Sequence, residues 1–280
     1  MLWRCRDREF DLGTRTLVMG VVNITPDSFS DGGRFFAPEA ALAHARRLLA
    51  EGADLLDLGA ESTRPGAQPV TPEEQWRRLA PVVGTLARED DATSSVDTSS
   101  AIVAERALAA GARIVNDVTA LGDPLMAGVV ARAGAGLVLM HMRGTPADMQ
   151  RDPRYANASG EVAGFLAARL AAAAAAGISR ECIELDPGVG FGKTARHSLE
   201  LLARLETVVA LDRPVLIGVS RKSFIGQVLD LPVDERLEGS LAAAAVAVFL
   251  GARIVRTHDV AATARAVRVT EALRAARARA

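Results

Sequence analysis

A short apolar run, a polar loop and a segment of helical period recur eight times along the chain, and this alternation constrains the fold more than any other feature. Residues 17–22 (LVMGVV) read as a continuous buried strand. A polar loop follows, then a helix that Pro38 opens and Gly52 closes. Further strands are read at 55–58, 94–96, 113–115, 137–140, 183–186, 215–219 and 254–255. Helices are read behind them at 71–88, 99–110, 124–133, an alanine-rich stretch ending near 176, 197–209, a stretch through 250 and the C-terminal segment. Strands that alternate with helices pair in parallel, and eight such units close into a (β/α)8 barrel. An open doubly wound sheet is the alternative, but it usually brings a nucleotide fingerprint and fewer units. Residues 1–280 therefore read as one α/β domain, a (β/α)8 TIM barrel. Residues 1–16 form a hairpin-like N-terminal extension expected to cap it, with Asp11-Leu12-Gly13 as the turn signal.

Composition narrows the functional classes. At 280 residues the chain fits a single barrel. A hydrophobic share of 49% with 24% charged residues is that of a soluble globular protein. The formal charge is −1 with both signs interspersed, so no basic stripe for nucleic acid exists, and any bound anion must be held by a local cluster. Only Cys5 and Cys182 carry thiols, which makes neither a disulfide framework nor a zinc site. The N-terminus lacks the apolar core of a signal peptide, and the apolar run 241–252 is too short to span a bilayer. A cytoplasmic protein without membrane or nucleic-acid partners is expected.

Chemistry concentrates at the carboxyl ends of the strands. Residues 185–194 (LDPGVGFGKT) place Asp186 at a strand tip and then turn through Gly188, Gly190 and Gly192. The stretch is not a phosphate loop, because Pro187 stands where its first glycine must be, nor a dinucleotide fingerprint, because Lys193 stands at the third glycine. A buried carboxylate at such a tip must meet a cation from elsewhere in the chain or a ligand, since an uncompensated one costs several kcal/mol. Asn23, Asp97, Asn116, His141, Lys222, Arg256 and His258 likewise end strands. In a barrel these ends share one mouth, where active sites lie. Asp97, Asn116 and Asp186 suit a flat heterocycle with several N–H donors. Lys222 could serve that ring or neutralise Asp186, and the two readings stand equal. Thr63, Arg64, Arg256 and His258 offer donors for an anion, and Asn23 an oxygen for Mg2+. No H-E-x-x-H, G-x-S-x-G or cysteine–histidine pair points to covalent acyl chemistry.

Taken in order, NITPDSFSDGG (23–33), ESTRPGA (61–67), VDT (96–98), Asn116-Asp117, MHMRG (140–144), LDPGVGFGKT (185–194), GVSRKSFIG (218–226) and RTHDV (256–260) resemble the dihydropteroate synthases across nearly the whole chain. The resemblance implies condensation of (7,8-dihydropterin-6-yl)methyl diphosphate with 4-aminobenzoate, giving 7,8-dihydropteroate and diphosphate. It implies that Asp97, Asn116, Asp186 and Lys222 hold the pterin, and that Thr63, Arg256, His258 and Asn23 with Mg2+ hold the diphosphate. Arg64, Pro65, Phe191 and Ser223 would line the aminobenzoate site, with Phe29 and Asp31 on a loop closing over it. Asp97, Lys222, Arg256 and His258 would be catalytic, and the protein a homodimer.

Because an aromatic amine is already a neutral nucleophile, the hard step is diphosphate departure, and electrostatic preorganisation should dominate a dissociative mechanism. Ser100, Arg143, Val189 and Phe224 depart from residues common in the family, but none replaces a residue with an implied role. Two rivals remain at this stage. A methyltetrahydrofolate:corrinoid methyltransferase would not need NITPDSFSDGG or SRKS, and a catalytically silent homologue is opposed by intact Arg64, Lys222, Arg256 and His258.

Overall fold

The computed structural model describes residues 1–13, 15–25, 38–62 and 68–279. It opens on an antiparallel hairpin, β1 (Leu2–Cys5) with β2 (Arg8–Asp11). The hairpin turns at Arg6-Asp7, where Arg6 takes a left-handed φ of 61°. The Asp11-Leu12-Gly13 signal instead marks the exit, where the Asp11 carboxylate accepts the Gly13 N–H at 2.9 Å.

The barrel follows as β3 (Leu17–Asn23), α1 (Pro38–Ala50), β4 (Leu55–Gly59), α2 (Pro72–Glu89), β5 (Ser94–Asp97), α3 (Ala101–Ala109), β6 (Ile114–Asp117), α4 (Met126–Ala133), β7 (Gly136–Met140), α5 (Ala158–Ala175), β8 (Ile183–Asp186), α6 (Ala195–Ala203), α7 (Glu206–Val209), β9 (Leu216–Gly218), α8 (Ser223–Leu229), α9 (Leu237–Leu250), β10 (Ile254–Thr257) and α10 (Val260–Arg279). All eight strands from β3 onward are parallel, in the order β8-β7-β6-β5-β4-β3-β10-β9. The seam between β8 and β9 closes through a bridge from Leu185 to Val215 and the Leu185 N–H donating to the Pro214 carbonyl at 2.9 Å. The predicted helix at 197–209 is two helices, since Arg204 leaves helical geometry. The stretch before 250 also breaks, where Asp230 turns left-handed (φ 55°) and Pro232 follows.

Register assigns the inward side chains to levels. Asp57 pairs with Ser95 and Ser95 with Ile114, so the residue two further along β6, Asn116, stands level with Asp57. The same step leads from Asn116 through Val138 and Glu184 to Asp186. From there it passes the β8–β9 bridge and Leu216–Ile254 to Arg256, and through Met19 and Leu55 back to Asp57. Four alternate strands thus supply one layer, Asp57, Asn116, Asp186 and Arg256, as a barrel of this shear requires. The layer beneath is Leu55, Ile114, Glu184 and Ile254, with Met19, Ser95, Val138 and Leu216 of the odd strands between the two. Trp3, Cys5 and Leu12 of the N-terminal segment pack with those apolar lower residues and plug that end.

Candidate active site

The polar layer is joined by hydrogen bonds across the barrel interior. Arg256 Nε donates to Asp57 Oδ2 at 2.6 Å, and Asn116 Nδ2 donates to the same oxygen at 3.0 Å. Arg256 Nη2 reaches on to Asp97 Oδ2 at 3.1 Å, one level nearer the mouth. Asp57 is fully buried, and the sequence reading assigned it no role. Its signal was an acid inside an otherwise apolar four-residue strand, a position that burial makes costly without a cation.

Asp97 sits at the end of β5 in register with Gly59, which pairs in turn with Asn23. A Cβ on Gly59 would lie 3.9 Å from both Asn23 Oδ1 and Asp97 Oδ2, so the missing side chain leaves open the space that both oxygens face. Burial pushes the Asp97 carboxyl up to about 7, reinforced by the Asp57 charge and opposed by Arg256. Beside it a cavity of about 320 Å³ runs outward past Glu61, Thr98, Val118 and Thr145.

Asp186 ends β8 and accepts the Gly188 N–H at 2.7 Å. Among the described residues it forms no ion pair. Burial raises its pKa, and the charge of Lys222 works against that rise from a distance. Lys222 instead donates to the Val189 carbonyl and lies over the Phe191 ring, 4.6 Å from its centroid. Burial lowers the Lys222 ammonium to about 8. Ser223, exposed, begins α8 directly after it. His258 follows β10, with Nδ1 3.0 Å from Ser220 Oγ. The structure thus gathers Asn23, Asp97, Asn116, Asp186, Phe191, Lys222, Ser223, Arg256 and His258 at one barrel end. The predicted residues Phe29, Asp31, Thr63, Arg64 and Pro65 lie outside the described residues.

His141 departs from the predicted mouth set. Alternation on β7 turns Gly136, Val138 and Met140 inward, so the next residue faces outward. There its Nδ1 accepts from Lys193 Nζ at 2.8 Å, and its ring packs edge-on to Phe165. Burial, with Lys193 next to it, holds His141 down to about 3, so it is neutral with Nδ1 as acceptor. Lys193 is the second residue the sequence reading missed. It is buried, and it also donates to the carbonyls of Gly188 and Phe191, each at 2.9 Å. It thereby fixes the glycine turn that carries Val189 and Phe191 to Lys222. Gly188 is required there, because at φ 64° a Cβ would stand 1.9 Å from the His141 carbonyl oxygen.

The family model described as "Pterin binding enzyme" matches residues 19–258. A dihydropteroate synthase of Neisseria meningitidis serogroup C is 49% identical over 270 residues, covering 94% of this chain and 95% of the relative. That of Escherichia coli (strain K12) is 45% identical over 255 residues, covering 91% and 90%. Among solved structures, the Yersinia pestis dihydropteroate synthase in a sulfonamide drug complex superposes with a TM-score of 0.92 at 43% identity, covering 98% of this chain and all of that one. The Xanthomonas albilineans enzyme in complex with 7,8-dihydropteroate gives 0.88 at 42%, covering 98% and 99%.

Proposed function

The chain belongs to the pterin-binding enzyme family, among its dihydropteroate synthases, and from that premise we propose how its own residues carry out the reaction. It is a transferase of folate biosynthesis that condenses (7,8-dihydropterin-6-yl)methyl diphosphate with 4-aminobenzoate to 7,8-dihydropteroate and diphosphate. The observation that carries the mechanistic reading is the Asp57–Arg256–Asp97 chain directly beneath the mouth.

The pterin lies on Asn116, Asp186 and Lys222, where carboxylate and amide oxygens meet its N–H edge and the ammonium meets its carbonyl. The bond from the pterin methylene carbon to the diphosphate oxygen breaks first, and its electron pair leaves with diphosphate. Arg256 and His258 accept that growing negative charge, while Asp97 faces the cation spread over the pterin. The amine nitrogen of 4-aminobenzoate, held by Phe191 and Ser223, then bonds to the carbon and loses its proton to water. The roles that the resemblance implies for Thr63, Arg64, Pro65, Phe29 and Asp31 fall on residues outside those the structure describes.

The rim fits Mg2+ to the extent of one neutral oxygen ligand. Asn23 Oδ1 faces the same space as Asp97, and the described residues hold no cluster of three metal-ligating side chains. A hard cation that keeps its waters and borrows phosphate oxygens suits such a place. When bound it would supply positive charge to the diphosphate.

Two further parts of the proposal concern setting. Among the described residues no helix is long and apolar enough to cross a membrane, and both thiols are free and buried, which supports work in the cytoplasm. The outer face of α9 and α10 exposes Val246, Val269 and Leu273, which supports pairing of two copies there.

Mixing both substrates with Mg2+ is expected to release diphosphate in step with dihydropteroate. Pterin binding without release would overturn the reading in favour of a silent homologue. The pH profile follows from the two shifted groups. Asp97 must be ionised, so kcat/KM rises with pH through about 7, and Lys222 must be protonated, so it falls through about 8. A narrow bell with its top between those values is the expected record of initial rates. A plateau extending well below the first or above the second would remove one of the two roles.

A further inference from the structure

The floor of the barrel holds an acid that the reaction above does not use. Of the eight inward residues in the two levels under the polar layer, six are apolar and belong to one buried cluster with Trp3, Cys5 and Leu12. The other two are Ser95 and Glu184. Glu184 is fully buried, and among the described residues neither carboxyl oxygen has a hydrogen-bond partner. The same is true of Ser95 Oγ and of Asp57 Oδ1, the oxygen that Arg256 and Asn116 leave unused. These four atoms lie on three successive levels, Glu184 lowest, Ser95 between and Asp57 in the polar layer.

A carboxylate here would stand among leucine and isoleucine, with Asp186 and Asp57 adding negative charge and, among the described residues, Arg213 opposing. Burial and those charges raise its pKa well above the usual range, so the neutral acid is the form the floor tolerates. A neutral acid is a donor, Ser95 is a donor, and Asp57 Oδ1 is an acceptor in need of one. An interior cluster with this pattern of unmet bonds is the kind of place that holds ordered water, which typically makes about three hydrogen bonds to such groups.

We propose that Glu184 is a protonated positioning residue on a hydrated barrel floor, where internal water passes hydrogen bonds from its carboxyl by way of Ser95 to Asp57 Oδ1. So supported, Asp57 holds Arg256 at the angle that reaches Asp97. The kinetic part of this inference rests on the reaction proposed above; the spectroscopic part does not.

Three preparations of the full-length protein test it: wild type, Glu184→Gln and Glu184→Leu. The infrared difference between wild type and Glu184→Gln, recorded on the alkaline side of the Asp97 titration, is expected to show one protonated-carboxyl band lost. Absence of that band overturns the protonated state. Glu184→Gln retains a neutral donor, so its melting temperature and kcat should stay near wild type. Glu184→Leu makes seven of the eight floor residues apolar, so its melting temperature should hold or rise, while kcat falls about fivefold with KM little changed, the equivalent of one net hydrogen bond. A Leu variant with unchanged kcat, whether or not it melts lower, would leave Glu184 a packing residue and overturn its positioning role. If wild type released no diphosphate, the reaction would fail while the infrared comparison still decided the state of Glu184.

Discussion

Arg256→Met is expected to cost the protein about 3–5 kcal/mol of folding stability as well as most of its turnover. The stability loss arises because, among the described residues, the guanidinium is the only cation bonded to Asp57, which is fully buried, and it also bonds Asp97. Burial alone would lower the Arg256 pKa, but Asp57 and Asp97 more than offset it, so the arginine stays charged and the pair is mutually dependent. Removing the cation leaves two acids in a low-dielectric interior without their counter-charge. Turnover falls separately, by about 100- to 1000-fold in kcat, because a preorganised charge aimed at a leaving group acts at the transition state. The double variant Arg256→Met/Asp57→Asn distinguishes the two effects. It removes the stranded acid, so denaturant titration should show most of the stability regained, whereas diphosphate release should remain as slow as in the single variant. If the single variant unfolded at the wild-type denaturant concentration, the buried chain would not have the structural weight given to it.

That chain also shows where sequence reasoning stops. The strand ends Asn23, Asp97, Asn116, Asp186 and Arg256 were legible because each closes an apolar run that has no packing use for it, Lys222 because it follows such a run in the loop, and eight repeats fix the end they share. Asp57 was not, since its importance depends on a register that sets it level with Asn116 and Arg256, residues 59 and 199 positions away. Lys193 escaped for a different reason. It was weighed only as a position in glycine-rich nucleotide-binding motifs, whereas its partners are backbone carbonyls that converge once the glycines adopt positive φ. His141 was placed at the mouth by its position after a strand. Counting alternate residues along β7 would have turned it outward, because Met140 already holds the inward place. The breaks after Ala203 and Leu229 fell inside apolar helical periods, where a local left-handed or capping residue overrides the pattern.

Asp97→Asn should share the kcat loss of Arg256→Met but not its stability loss, leaving the fold as stable as before or more so. Burial already disfavours the Asp97 carboxylate, and its neighbour Asp57 makes matters worse, so an amide of the same shape relieves an unfavourable charge in the resting protein. The same negative charge becomes useful only when the pterin turns cationic, a contact stronger in the transition state than in the ground state. Loss of such a contact lowers kcat and kcat/KM together, here by about 100-fold, with little change in KM. The acid limb of the pH profile should also vanish, because the group whose ionisation produced it is gone. Initial rates across pH, set beside thermal melts of the same preparations, give both readings. Full kcat in the asparagine variant would mean that the cation finds its counter-charge elsewhere, and Asp186 would then be the group to examine, since it occupies the polar layer without a bonded cation among the described residues.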